Sequence, residues 1–288
     1  MRPLDQPYRG KLCYFSKALQ TMMDWRKLAQ ATKTMGFDGL DLTVRKGGHV
    51  APERAAEDLP RAVAAIRNEG LDVPMITTSL TSATDPWARP LLSTAAKLGI
   101  RYFKAGYYLY EHKDVRKELE NAGREFRSLA ALAREYGLQV GYHNHSEYVG
   151  AALWDAAEFI EPLDPKVAGY YLDSCHVTGE GCAGAWKSAV HLAASRLKMV
   201  AIKDFYWKAT TQGWEYTVCP LGEGRVDLKY FVGVLAGVNF QGPISLHIEY
   251  EPEGESVEDK QANTIVNTAR DLAVLKAHLT AAYRTGDG

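Results

Sequence analysis

The sequence predicts an α/β chain folded as a (β/α)8 TIM barrel, one domain over residues 1–288. Three observations carry that reading. Eight short runs rich in β-branched and aromatic residues alternate with longer amphipathic stretches, the pattern of βα units around a parallel sheet. Four helical stretches close on a glycine just before the next run, at Gly36, Gly70, Gly99 and Gly137, where a left-handed residue stops a helix. A chain of 288 residues with 46% hydrophobic content suits one large core of the size α/β barrels commonly have.

The strands are expected at Lys11–Phe15, Gly39–Val44, Val73–Ser79, Arg101–Tyr107, Gln139–His145, Ala168–Asp173, Lys198–Phe205 and Pro243–Tyr250. Helices are expected to begin near Asp24, Pro52, Pro86, Lys113, Ala151, Ala185, Asp227 and Val257, with Asp24, Asp85 and Asp227 placed as N-terminal caps. The stretch from Tyr206 to Arg225 reads as a long non-helical connection carrying Trp207, Trp214 and Tyr216, and is expected to lie as an ordered flap over the barrel mouth.

Charge is balanced, with 34 Lys plus Arg against 35 Asp plus Glu, which argues against nucleic acid or an anionic membrane as partner. No apolar run reaches the ~20 residues that span a bilayer, and Met1 to Gly10 lacks the apolar stretch of a secretory signal. A cytoplasmic protein is expected. The cysteines Cys13, Cys175, Cys182 and Cys219 are scattered, without the paired spacing of a disulfide framework or structural zinc site.

Parallel barrels place their chemistry at the C-terminal ends of the strands, so polar residues closing apolar runs are the candidates. The second run leads through Asp41 and Thr43 to Arg45, His49 and Glu53. The fourth carries Lys104, the fifth ends His143-Asn144-His145, and the sixth ends Asp173-Ser174-Cys175-His176. The seventh carries Lys203 and Asp204, and the eighth His247 and Glu249. Strand alternation puts His143 and His145 on one face with Asn144 on the other, pairs His247 with Glu249, and sets Lys203 opposite to Asp204. His, Asp and Glu arriving from different strands at one rim also form the kind of donor set a divalent metal takes.

The ordered set of Gly36-Phe37-Asp38-Gly39-Leu40-Asp41-Leu42, His143-Asn144-His145, Leu172-Asp173-Ser174-Cys175-His176, Ile202-Lys203-Asp204 and Ile248-Glu249 resembles the xylose isomerase-like TIM barrels over nearly the whole chain. That superfamily includes sugar phosphate isomerases and epimerases, ketose 3-epimerases, inosose dehydratases and abasic-site endonucleases. The resemblance implies a divalent ion, Mn, Mg, Co or Zn, held by acids on strands five, six and eight and a histidine on strand seven. Carried over residue by residue, Asp173 and Glu249 match, the strand-five acid falls at or near His143, and the strand-seven histidine falls on Ala201. His145 and His176 are expected to complete a metal set with Asp173 and Glu249; the alternative is a metal-free site in which Lys203 supplies the positive charge.

The expected reaction is isomerisation or epimerisation of a small sugar or polyol by proton removal next to a carbonyl. Glu249, Lys203 and His145 are the expected catalytic residues, and Arg45, His49, Glu53, Lys104, His247 and Trp207 the expected substrate contacts. A keto-sugar or inosose dehydratase and a non-catalytic sugar-binding barrel are the alternatives. An endonuclease is disfavoured by the balanced charge. A homo-oligomer is compatible with the sequence.

Overall fold

The computed structural model describes residues 6–283. Eight parallel strands close into a barrel: β1 (Leu12–Phe15), β2 (Gly39–Val44), β3 (Asp72–Thr78), β4 (Tyr102–Lys104), β5 (Gln139–His143), β6 (Ala168–Asp173), β7 (Leu197–Ile202) and, last in the chain, β10 (Ile244–Leu246). Between β7 and β10 the chain makes a two-stranded antiparallel hairpin of β8 (Asp204–Thr210) and β9 (Gly213–Cys219). Closure comes from β1, which pairs with both β2 and β10 and so leaves no free edge in the barrel.

Helices follow the strands: α1 (Trp25–Met35), α2 (Ala55–Asn68), α3 (Ala88–Lys97), α4 (Val115–Glu135), α5 (Leu153–Ile160), α6 (Ser174–Gly181), α7 (Ala185–Ala194), α8 (Leu228–Gly237) and α9 (Val257–Tyr283). Asp24 accepts from the amides of Arg26 and Lys27, and Asp227 from that of Tyr230, so both cap helices as the sequence indicates. Asp85 does not. It accepts from the amide of Trp87 in a turn ahead of α3, whose own cap residue is Trp87. The four junction glycines all carry positive φ, between 69° and 93°. None of the described helices is long and apolar enough to cross a membrane.

One apolar layer lies between the strands and the surrounding helices. A second, smaller cluster of Cys13, Met75, Tyr171, Met199 and Ala201 fills the inside of the barrel. Gly141 on β5 belongs to this inner packing, because a Cβ there would lie 2.3 Å from the Met199 methyl carbon. The plug forms the floor beneath the polar residues at the strand ends.

Two elements differ from the sequence expectation. The residues after Asp173 leave the strand at once and form α6, with the Asp173 carboxylate accepting from the amides of Cys175 and His176. The flap is a β-hairpin whose root is held by the Asp204 carboxylate, which accepts from the amides of Gly222, Gly224 and Val226 at 3.0 Å each. Only glycine fits at 224, since a Cβ there would stand 2.2 Å from Asp204 Oδ1. The Pro-Leu-Gly-Glu-Gly motif is therefore a seat for one carboxylate.

Candidate active site

The polar network starts just above the plug. Asp41, fully buried on β2, accepts from the hydroxyls of Thr77 on β3 (2.7 Å), Tyr171 on β6 (2.9 Å) and Ser245 on β10 (2.9 Å). Burial opposes its charge, and contacts with His247, Thr77 and Tyr171 outweigh that and hold its carboxyl below the usual range. Because Tyr171 donates to Asp41, its oxygen accepts from His247 Nε2, 2.9 Å away. The His247 ring also stacks on Phe15 with centroids 4.0 Å apart. Its Nδ1 has no hydrogen-bond partner among the described residues and is an acceptor in this tautomer.

A second group stands on β5, β6 and β7. Burial pushes His143 down to about 3, so its imidazole is neutral; Nδ1 accepts from the Tyr107 hydroxyl at 2.7 Å and Nε2 donates to Asp173 Oδ2 at 3.2 Å. The same Asp173 oxygen lies 3.3 Å from the Lys203 ammonium, which also donates to Glu249 Oε2 at 2.9 Å and His176 Nε2 at 2.8 Å. The other Glu249 oxygen is paired with Lys17 from the turn after β1. Burial works against the charges of Asp173, Glu249 and Lys203. Their mutual attraction wins, holding both acids well below the carboxylate range and Lys203 above the lysine range.

Two further groups are left open to the cavity. His145, just past β5, donates from Nδ1 to the Ser146 carbonyl at 2.8 Å, and burial lowers its pKa, which keeps Nε2 as a bare lone pair. Lys104, 3% exposed on β4, has neither a hydrogen bond nor a carboxylate partner among the described residues. Its ammonium lies 3.4 Å from the centroid of the Tyr107 ring. Burial first, and the like charge of Arg45 second, push its pKa well below that of a free lysine.

These groups share a cavity of about 80 Å³ at the C-terminal ends of the strands, lined by Lys17, Arg45, Lys104, His143, His145, Lys203, His247 and Glu249, with Phe15, Thr77, Tyr107 and Tyr171 between them. Arg45, Lys104, His145, Lys203, His247 and Glu249 thus come together as their strand positions indicated. Asp173 and His176 lie just behind Lys203. His49 does not reach the cavity. The chain turns back after β2 through a bridge between Val44 and Val50, and His49 is buried against Thr43 and the Leu19 carbonyl. Glu53 is exposed in a short 3-10 turn before α2, and Trp207 is exposed on the hairpin, where its ring meets Phe205 and Tyr216. Neither lines the cavity.

The expected metal set is also rearranged, because Lys203 stands between Asp173, Glu249 and His176 while His145 bonds to its own loop. Among the described residues the grouping with donor atoms close enough for one ion is His143, Asp173 and His247, all within 4.8 Å of one another. Two imidazoles and a carboxylate fit a divalent metal by donor type. The sequence reading missed Lys17 and Tyr107. Lys17 could have been found as the first charged residue past β1.

Residues 29–277 match the family described as Xylose isomerase-like TIM barrel. The chain belongs to that family. Among solved xylose isomerase-like barrels, one from Mycobacterium smegmatis in complex with magnesium aligns over 98% of this chain and 100% of its own at 17% identity and a TM-score of 0.72. A D-allulose 3-epimerase from Methylomonas sp. in complex with D-allulose aligns over 96% and 100% at 18% identity and TM-score 0.69. The 3-keto-D-glucoside 4-epimerase of E. coli aligns over 93% and 100% at 18% identity and TM-score 0.69. At these identities the likeness is one of fold. No curated protein matches the chain.

Proposed function

We propose that this chain is an isomerase or epimerase that moves a proton at the carbon beside a carbonyl of a small, unphosphorylated sugar or polyol. One observation carries the reading: a bare imidazole nitrogen, a second imidazole and an unpaired lysine converge on one small cavity. Proton abstraction next to a carbonyl needs a base and a positive group for the enediolate oxygen.

His145 takes the role of base, since it is neutral and its Nδ1–H is fixed, leaving Nε2 for the substrate proton. Glu249 is the weaker base, because Lys17 and Lys203 hold its carboxylate ionised and occupy both oxygens. It serves instead to fix Lys203 and to accept from substrate hydroxyls. Lys104, with Arg45 beside it, meets the developing oxyanion. The cost of burying an unpaired ammonium is offset only when negative charge appears next to it, so the attraction is stronger in the transition state than in the ground state.

The imidazolium of His145 then returns the proton to the neighbouring carbon, which completes an isomerisation, and His247, across the cavity just past β10, holds a substrate hydroxyl. By donor type His143, Asp173 and His247 would offer a site for a divalent ion, Mn, Mg, Co or Zn, which would polarise a substrate oxygen. The proton transfer proposed here runs without one, with Lys104 and Lys203 supplying the positive charge. The epimerases among the structural neighbours, acting on ketoses and a keto-glucoside, favour the same substrate class.

The test is a panel of free ketoses, keto-sugars and inososes incubated in D2O and followed by NMR. Deuterium should wash into the position beside the carbonyl, and His145→Asn should slow that exchange by roughly 10²-fold or more. Release of water with formation of an enone would identify a dehydratase. Ligand-induced thermal stabilisation with no exchange on any compound would identify a binding barrel and refute the proposal.

A further inference from the structure

We propose that the ammonium of Lys203 is the resident cation of this centre and keeps the wild-type chain from binding a divalent ion tightly. The inference rests on the contacts of Lys203 and is independent of the substrate reading.

The Lys203 ammonium donates to Glu249 Oε2 at 2.9 Å and His176 Nε2 at 2.8 Å, and forms an ion pair with Asp173 Oδ2 at 3.3 Å. His176 Nε2 is an acceptor in this arrangement because an ammonium can only donate, and burial keeps the ring neutral. The lysine thus gathers one nitrogen and two carboxylates from α6, β6 and the segment after β10, the kinds of donor a divalent ion would gather.

The neighbouring positions agree. Ala201, two residues earlier on the same face of β7, is fully buried in the barrel interior and offers no donor atom. Formal charge is already balanced, with Asp173 and Glu249 against Lys203 and Lys17. A divalent ion at His143, Asp173 and His247 would share Asp173 with the ammonium, and the further acid beside that group, Asp41, is already engaged by three hydroxyls. His143 would also have to release one of the bonds its two ring nitrogens make, to Tyr107 or to Asp173. The donors suit a cation, and the chain supplies it from its own side chain.

Two measurements on the full chain test this without any substrate. Elemental analysis of wild type after dialysis without chelator should find far less than one divalent ion per chain, and Mn²⁺ titration should leave the unfolding temperature unchanged. Lys203→Met, which keeps the apolar stem and removes the charge, should gain Mn²⁺ affinity by at least about tenfold and become thermally stabilised by the ion. Ala201→His alone should gain nothing while the lysine remains; combined with Lys203→Met it should bind still more tightly. One tightly held ion per wild-type chain would overturn the proposal whether or not the variants fold. Equal Mn²⁺ affinity in folded Lys203→Met and wild type would overturn it as well.

Discussion

Replacing Lys104 by methionine should make the protein more stable and less active. The side chain is 3% exposed, and its charge pairs with no anion among the described residues, finding only the face of Tyr107 at 3.4 Å and the longer-range pull of Asp41. Burying an ion costs several kcal/mol, and an aromatic face returns up to about 2 kcal/mol. Methionine fills nearly the same volume without the charge. A gain in the range common for removing such local conflicts, roughly 0.5–2 kcal/mol, corresponds to about 1–4 °C in a chain of this size. The sign of the pH dependence is fixed. The folded-state pKa of Lys104 is depressed, so the penalty is present at and below neutral pH and vanishes as pH rises past the unfolded lysine value near ~10.4, where both states are neutral. The advantage of the variant should therefore shrink between neutral pH and about pH 10. Loss of the oxyanion partner should slow solvent-deuterium exchange by ~10²–10³-fold. Scanning calorimetry over pH beside the NMR exchange assay reads both effects. A variant less stable than wild type by more than about 1 kcal/mol at neutral pH would show that Lys104 is a structural strut, and the reasoning would fail.

Asp204→Asn should lower stability by about 1–3 kcal/mol, because four amides, those of Phe205, Gly222, Gly224 and Val226, lose a charged acceptor, and limited proteolysis should then cut within residues 205–225 while wild type resists. His49→Asn should leave deuterium exchange within about twofold of wild type, since the residue faces Thr43 and Leu19; a large loss in a folded variant would restore it to the site. The folded pKa values of Asp173 and Glu249 are depressed, so their stabilising contribution is complete above about pH 4 and lost only as pH falls through the lower folded values. In metal-free buffer, Lys203→Met should move the acid-unfolding midpoint to higher pH; an unchanged midpoint would show that the lysine is not what holds the two acids ionised.

The barrel was legible because its signals are local and repeated. The expected strands at Gly39–Val44 and Ala168–Asp173 match the observed bounds, while those at Arg101–Tyr107 and Pro243–Tyr250 are longer than β4 and β10. Beyond Lys104 and Leu246 the chain leaves the ladder and turns across the mouth, and composition does not mark where interstrand pairing stops. The hairpin had a signal in its aromatic and β-branched flanks around Gly213, hidden by the expectation that a long connection is irregular. Helix α6 had little signal. Its first turn is read from Asp173 as a cap, and two glycines within it lower its helical propensity. At the site, strand alternation separated Lys203 from Asp204 and placed His143 with His145, because it depends only on neighbours. The three partners of Lys203 come from 27, 30 and 46 residues away, and no local pattern encodes that meeting. His49 misled for the converse reason, being near the end of β2 in sequence and turned away from the mouth by the loop that follows.

The adjacent pair Lys203 and Asp204 also serves as a register mark for the closing of the barrel. One points its charge inward to two acids, the other outward to three loop amides, and successive residues of an extended chain always face opposite ways. Sliding this segment by a single position would turn the Asp204 carboxylate toward Asp173 and Glu249 and the Lys203 ammonium toward the amide hydrogens of the glycine turn. Both exchanges are repulsive. A misaligned barrel is thereby penalised twice, at a place where apolar strands alone would tell neighbouring registers apart only weakly.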